Sequence, residues 1–283
     1  MKSPRYASFL AVLSVIFFFS GAAAGASLGT LEEMGMRQVA NNVYVDTDMA
    51  SDRAKELLPL VAEARRRVAA YYGEAVARPN IIFCASADCY RNFGAIGLGF
   101  TDGTNVIISP HGQSAAIVAH ELAHMELSVR VGGFAKVLER VPQWFDEGQA
   151  VIVSQAEEFS EEAWKKATRN GADAPSLLSL QATADWNRIT GPNGENMQLS
   201  YGTARREVGR WFGTAGLPGF HALLSALSSD DAFDAAYSRI EGAHSRKHSH
   251  SVVSANSALP PGKSSGSEIP SEWASRGFER ATW

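Results

Sequence analysis

The pentapeptide His120-Glu121-Leu122-Ala123-His124 constrains this chain more tightly than any other segment. Residues four apart lie one above the other on the same face of an α-helix, so both imidazoles can grip one metal ion if the segment is helical. The flanks agree with a helix. Ala115, Ala116, Ile117 and Val118 lead into the pair, and Leu122, Ala123 and Met125 follow it. Ile117, His120, Glu121 and His124 recur at helical spacing and share an inward stripe. Two imidazoles buried without partners are costly, which favours coordination over simple packing. The competing reading is a helix carrying two surface histidines.

The order His-Glu-x-x-His is that of zinc peptidases, in which zinc acidifies a water and the glutamate takes its proton. Glu121 is therefore the candidate general base. Two histidines and a water leave a tetrahedral zinc ion one protein ligand short. The metzincin continuation, with a glycine and then a third histidine, is excluded, because Leu127 and Arg130 occupy those positions. A downstream carboxylate remains, and Val141-Pro142-Gln143-Trp144-Phe145-Asp146-Glu147-Gly148-Gln149-Ala150 offers one. Pro142 suits the first turn of a helix. Trp144, Phe145, Ala150, Val151 and Val153 supply its buried surface, and Gly148 would let a neighbouring backbone approach closely.

Pro-x-Trp-Phe-x-Glu-Gly-x-Ala, roughly twenty residues after His-Glu-x-x-His, resembles the gluzincins, most closely the short bacterial "peptidase MA-like" members. The likeness spans about Ala40 to Gly242, and its specificity lies in the two zinc motifs. It implies an α+β, zincin-like fold: a small N-terminal mixed sheet, then a mainly helical half, with the active-site helix between them. It also implies a zinc-dependent peptidase in which His120, His124 and Glu147 hold the metal. Adjacent helical positions point about 100° apart, so Asp146 cannot reach the ion equally well and is read as a solvated residue or a support for a ligand. Related gluzincins often carry a tyrosine near a helix start whose phenol donates to the developing oxyanion. Tyr201, in Ser200-Tyr201-Gly202-Thr203, is the candidate, against a reading in which it only packs. The family sheet pairs its edge strand with extended substrate backbone, and Asn105 to Ser109 is the expected edge. A relative that keeps the zinc cleft for peptide binding or structure, without catalysis, is the alternative. Gly194-Glu195-Asn196-Met197 is a surface turn, not an aminopeptidase motif.

Met1 to Ala26 reads as an export signal: Lys2 and Arg5, an apolar run from Phe9 to Phe19, then small residues. A periplasmic or secreted location follows, with an uncleaved membrane anchor through residues 7–26 as the alternative. Cys84 and Cys89 are the only cysteines, an even count that suits an oxidising compartment. They form a disulfide across Ala85-Ser86-Ala87-Asp88 or are two small buried residues. The formal net charge is −4, spread along the chain without a basic stripe, which argues against nucleic acid and leaves a peptide or protein as the expected partner.

Residues 27–242 suffice for one domain with a sizeable core. Ser51 to Tyr72 reads as a long helix capped by Ser51 or Asp52, with Pro59 marking a later start or a kink. Asn80 to Cys84, Asn105 to Ser109 and Val43 to Val45 read as strands, and Gly97 to Thr104 as a glycine-rich connection. Helices are expected for the zinc motif, from Glu147 to about Gln155, and in the charged stretch from Ser160 to Asn170. Three more are expected over Tyr201 to Gly213, Leu217 to Leu227 and Asp231 to Glu241. Strands first and helices after indicate an α+β fold. From Gly242 a His-, Ser- and Pro-rich tail, with His244, His248 and His250, is expected to be disordered.

Overall fold

The β-branched runs of the first third pair into a sheet, and the alanine- and leucine-rich segments after them wind into helices that cover it. The structure, a computed structural model, describes residues 30–257, the side chains of residues 247–257 excepted. The expected export signal and the end of the tail lie outside these residues. Among those described, no helix is long and apolar enough to cross a membrane.

The architecture is α+β. Strands β1 (Met36–Ala40) and β2 (Val43–Asp46) form an antiparallel pair. Helix α1 (Ser51–Tyr72) then carries the chain over to β3 (Asn80–Phe83), which runs parallel to β2, as a crossover of this length permits. Helix α2 (Ala87–Asn92) follows, then β4 (Gly99–Thr101) and β5 (Asn105–Ile108). The sheet order is β1-β2-β3-β5-β4, with β3 and β5 parallel and β4 and β5 antiparallel. Strand periodicity sends Ile81, Phe83, Val106 and Ile108 into the main core, and Ile82 and Ile107 into a smaller cluster with Met36 and Tyr90. Cys84 and Cys89 belong to that second cluster and are joined as a disulfide.

One expectation is overturned here. Asn105 to Ser109 is not an edge: β5 lies between β3 and β4, and the edge on this side is β4, drawn from the glycine-rich connection. Three residues with one glycine carry too weak an alternation to read as a strand, and pairing with β5 supplies what propensity does not. The start of α1 also differs, since Ala50 is its N-cap with no side-chain hydrogen bond. The helix runs uninterrupted past Pro59, giving up one backbone hydrogen bond.

Beyond the sheet come α3 (Ala115–Val131), α4 (Phe134–Arg140), α5 (Gln143–Ser154), α6 (Glu161–Ala167), α7 (Thr183–Thr190), α8 (Met197–Ser228) and α9 (Phe233–Ser257). The long α8 is broken at Gly216 (φ 63°, ψ −177°) just before Pro218, which separates the two helices expected there. Helix α9 continues well past Gly242, although the compact unit ends at Ser245. The tail expected from Gly242 is described only as far as Ser257, and the rest of it lies outside the described residues.

Two buried contacts fix α3 and α5. The Glu126 carboxylate on α3 accepts the Val76 and Ala77 backbone N–H groups and Arg130 Nε, tying the α1–β3 connection to the helix. Gly148 on α5 sits so close to α8 that a Cβ there would lie 2.6 Å from the Ala204 carbonyl oxygen. A backbone neighbour cannot swing aside. Gly148→Ala is therefore expected to destabilise the fold by about 1–3 kcal/mol through overpacking, outweighing the ~1 kcal/mol that alanine returns in helix propensity. Thermal denaturation checks the sign: a variant as stable as the parent would contradict this packing.

Candidate metal centre

Helix α3 begins where Ser114 Oγ accepts the Ile117 N–H, and it ends at Gly132 in the left-handed conformation. The short α4 and the turn at Val141–Pro142 return the chain so that α5 lies against α3. This crossing puts Glu147 opposite the two histidines. His120 Nε2 and His124 Nε2 stand 3.1 Å apart, and Glu147 Oε2 lies 3.3 Å from the first and 3.7 Å from the second. All three residues are at most 3% exposed. Glu147 Oε2 is buried and accepts no hydrogen bond.

Such a cluster asks for a cation. Donors placed tetrahedrally around an ion at 2.0–2.1 Å stand about 3.4 Å apart, close to the separations found. Among the described residues, His120, His124 and Glu147 form a group able to hold a metal ion. The protonation equilibria describe the same strain. Burial, with His124 alongside, pushes His120 down to about 3. Burial and the neighbouring Asp146 charge push Glu147 up to about 8. For His124 burial works against the charged ring, yet the Asp146 carboxylate and its hydrogen bond raise it to about 10. A bound cation replaces those protons and favours neutral rings beside an ionised glutamate.

Asp146 is not solvated. It is buried, and its Oδ1 accepts His124 Nδ1–H at 2.6 Å. That bond sets the tautomer that leaves the Nε2 lone pair for a metal. The sequence-based angle argument holds, since the two adjacent carboxylates serve different atoms. Gln149 Nε2 bonds the Asp146 backbone carbonyl at 3.0 Å, and Gln149 Oε1 accepts the Tyr72 hydroxyl at 2.8 Å. On the other side Gln143 Nε2 donates to Glu147 Oε1 at 3.0 Å, and the Thr183 hydroxyl donates to Gln143 Oε1 at 2.8 Å. Gln143, Asp146 and Thr183 also line a cavity of about 510 Å³ between α4, α5 and the start of α7, with Val137, Val141 and Asn187.

Glu121 follows the first histidine and is 1% exposed. It packs on the edge strand, where a Cβ on Gly99 would lie 2.7 Å from its Cγ and Oε1. The sheet edge therefore runs beside Glu121. Tyr201, in the second turn of α8, is buried with its ring centre 6.5 Å from that of His120, stacked on Phe159 and edge-on to Trp186. Burial and the Glu147 charge hold its phenol well above the usual range, so it is neutral. Cys84 and Cys89 take no part in the metal group.

The structure thus brings together the three expected ligands, His120, His124 and Glu147, and sets the Tyr201 ring 6.5 Å from that of His120. It adds Gln143, Gln149, Tyr72, Thr183 and Gly99. Gln143 lies one turn before Glu147, a helical spacing that could have flagged it. Nothing in the sequence ties Tyr72, Thr183 or Gly99 to the motif. Comparisons of the chain with protein-family models, curated proteins and solved structures return no match.

Because Asp146 orients the ring of a candidate ligand, Asp146→Ala is expected to weaken metal affinity by about 10–100-fold. Competition with a chromophoric chelator measures this, and wild-type affinity would show that the Asp146–His124 bond is not needed for binding.

Proposed function

We propose that the protein is a zinc-dependent peptidase of gluzincin type with a zincin-like arrangement. The observation that carries this reading is the convergence of His120 Nε2, His124 Nε2 and an unbonded Glu147 Oε2, with Glu121 on the same helix beside the first ligand. Two imidazoles and a carboxylate are the donor set of a hydrolytic zinc site, which keeps its fourth position for water. A zinc ion held there supplies Lewis acidity and a water acidified towards a pKa of about 7.

The chain's own residues divide the remaining work. Glu121 accepts a proton from the attacking water and delivers it to the leaving amine. The neutral Tyr201 phenol donates a hydrogen bond to the oxygen of the tetrahedral species without giving up its proton. Asp146 holds His124 in the tautomer that leaves Nε2 free. Strand β4, at the sheet edge beside Glu121, offers backbone groups along which an extended peptide can lie. The substrate class is accordingly a peptide or protein. The Cys84–Cys89 disulfide supports an exported protein, periplasmic or secreted, with an anchored form through residues 7–26 as the alternative. A non-catalytic zinc site is the weaker reading, because a structural site is usually closed by four protein ligands and has no use for a base.

Glu121→Gln preserves shape and removes the base. It should bind zinc stoichiometrically, as metal analysis will show, while hydrolysis of a mixed peptide library drops to the level of the chelator-treated enzyme. Wild-type turnover by this variant would end the general-base assignment. Gly99→Ala drives a methyl group onto Glu121 and should lower kcat by up to about a hundredfold through misplacement of the base, with metal content unchanged. Steady-state kinetics decide it, and an unaltered kcat would separate Gly99 from the chemistry.

A further inference from the structure

The two oxygens of Glu147 have different partners. Oε2 faces the imidazoles, whereas Oε1 accepts the Gln143 side-chain amide at 3.0 Å. Gln143 is itself held at both ends of its polar framework. Its backbone N–H donates to the Gln181 carbonyl at 3.0 Å, and its side-chain oxygen accepts the Thr183 hydroxyl at 2.8 Å. With a cation bound Glu147 is ionised and only accepts, so the NH2 group of Gln143 faces it and the amide oxygen is left for the Thr183 hydroxyl. Gln143 is 7% exposed and Glu147 fully buried, so water does not compete freely for these groups.

A carboxylate that can turn about its last bond is able to give a cation both oxygens, and the second oxygen then adds to the ligand sphere, raising four-coordination to five and crowding the position that a hydrolytic site reserves for water. We propose that Gln143 is a positioning residue that fixes Glu147 as a one-oxygen ligand, locked in turn by Thr183, and so keeps the fourth coordination position open. The inference rests on the metal reading above and adds how the chain holds the site open. It also makes the entry to α7, Gln181 before the helix and Thr183 at its first position, a support of the metal centre, although no residue of α7 reaches the ion group itself.

The test uses the purified full chain, stripped of metal and titrated with Co(II), in the wild type, Gln143→Met and Thr183→Val. Methionine keeps the length of glutamine and removes both amide hydrogen bonds. Visible absorption reports coordination number, because four-coordinate Co(II) absorbs far more strongly than five- or six-coordinate Co(II). The expected result is a strong wild-type band that loses most of its intensity in Gln143→Met, with metal affinity weakened by about 10–100-fold. Thr183→Val should move both readouts in the same direction by less. A purely structural role for Gln143 would lower the melting temperature and leave the Co(II) band unchanged, and that outcome overturns the proposal. If Gln143→Met does not fold, Thr183→Val decides alone, and a wild-type spectrum in it overturns the proposal. Failure of the wild type to take up Co(II) at all removes the metal reading itself, a distinguishable result.

Discussion

Glu147 buried against two imidazoles is the interaction on which the rest of this structure depends. A carboxylate with no exposure, an acceptor oxygen that receives no hydrogen bond, and a second carboxylate on the next residue form an arrangement that burial alone penalises. The surrounding hydrogen bonds offset only part of that cost. Asp146 is satisfied by His124, and Glu147 Oε1 by Gln143, but Oε2 and the two Nε2 atoms remain turned towards one another. A cation at their centre would offset that part of the cost.

Close backbone approach is the second condition. Helix α5 can hold Glu147 against α3 only because its other face lies directly on α8, and Gly148 provides that proximity. The same pairing of α5 with α8 brings Tyr201 beside the histidines. Across the site, Gly99 lets the sheet edge run next to Glu121. The candidate metal ligands, Glu121 and the edge strand thus meet because small residues stand where elements touch, while the Glu126 carboxylate anchors α3 to the loop that feeds β3.

Much of this was legible in the sequence. Residues four apart on a helix share a face wherever the helix lies, so the His120–His124 pair could be read without a fold. The apolar period likewise marked α1 with the bounds it has and the two halves of α8. Gly148 was legible as a site of close approach, since only glycine next to bulky Trp144 and Phe145 invites it. What was illegible shares one character: it depends on a partner remote in the chain. Strand β4 is an edge because β5 pairs with β3 on its other side. Asp146 is buried because His124 reaches it, and Gln143 matters because Thr183 holds its far end.

The amino-acid order by itself determined the donor types, their helical phase and the α+β succession of elements, since these follow from local periodicity and side-chain chemistry. Tertiary structure alone decided which carboxylate oxygen faces the rings, which strand borders Glu121, and which neutral side chains hold the ligands in place. Those outcomes are set by ångström-scale distances between segments far apart in the chain, and no local pattern encodes a distance of that kind.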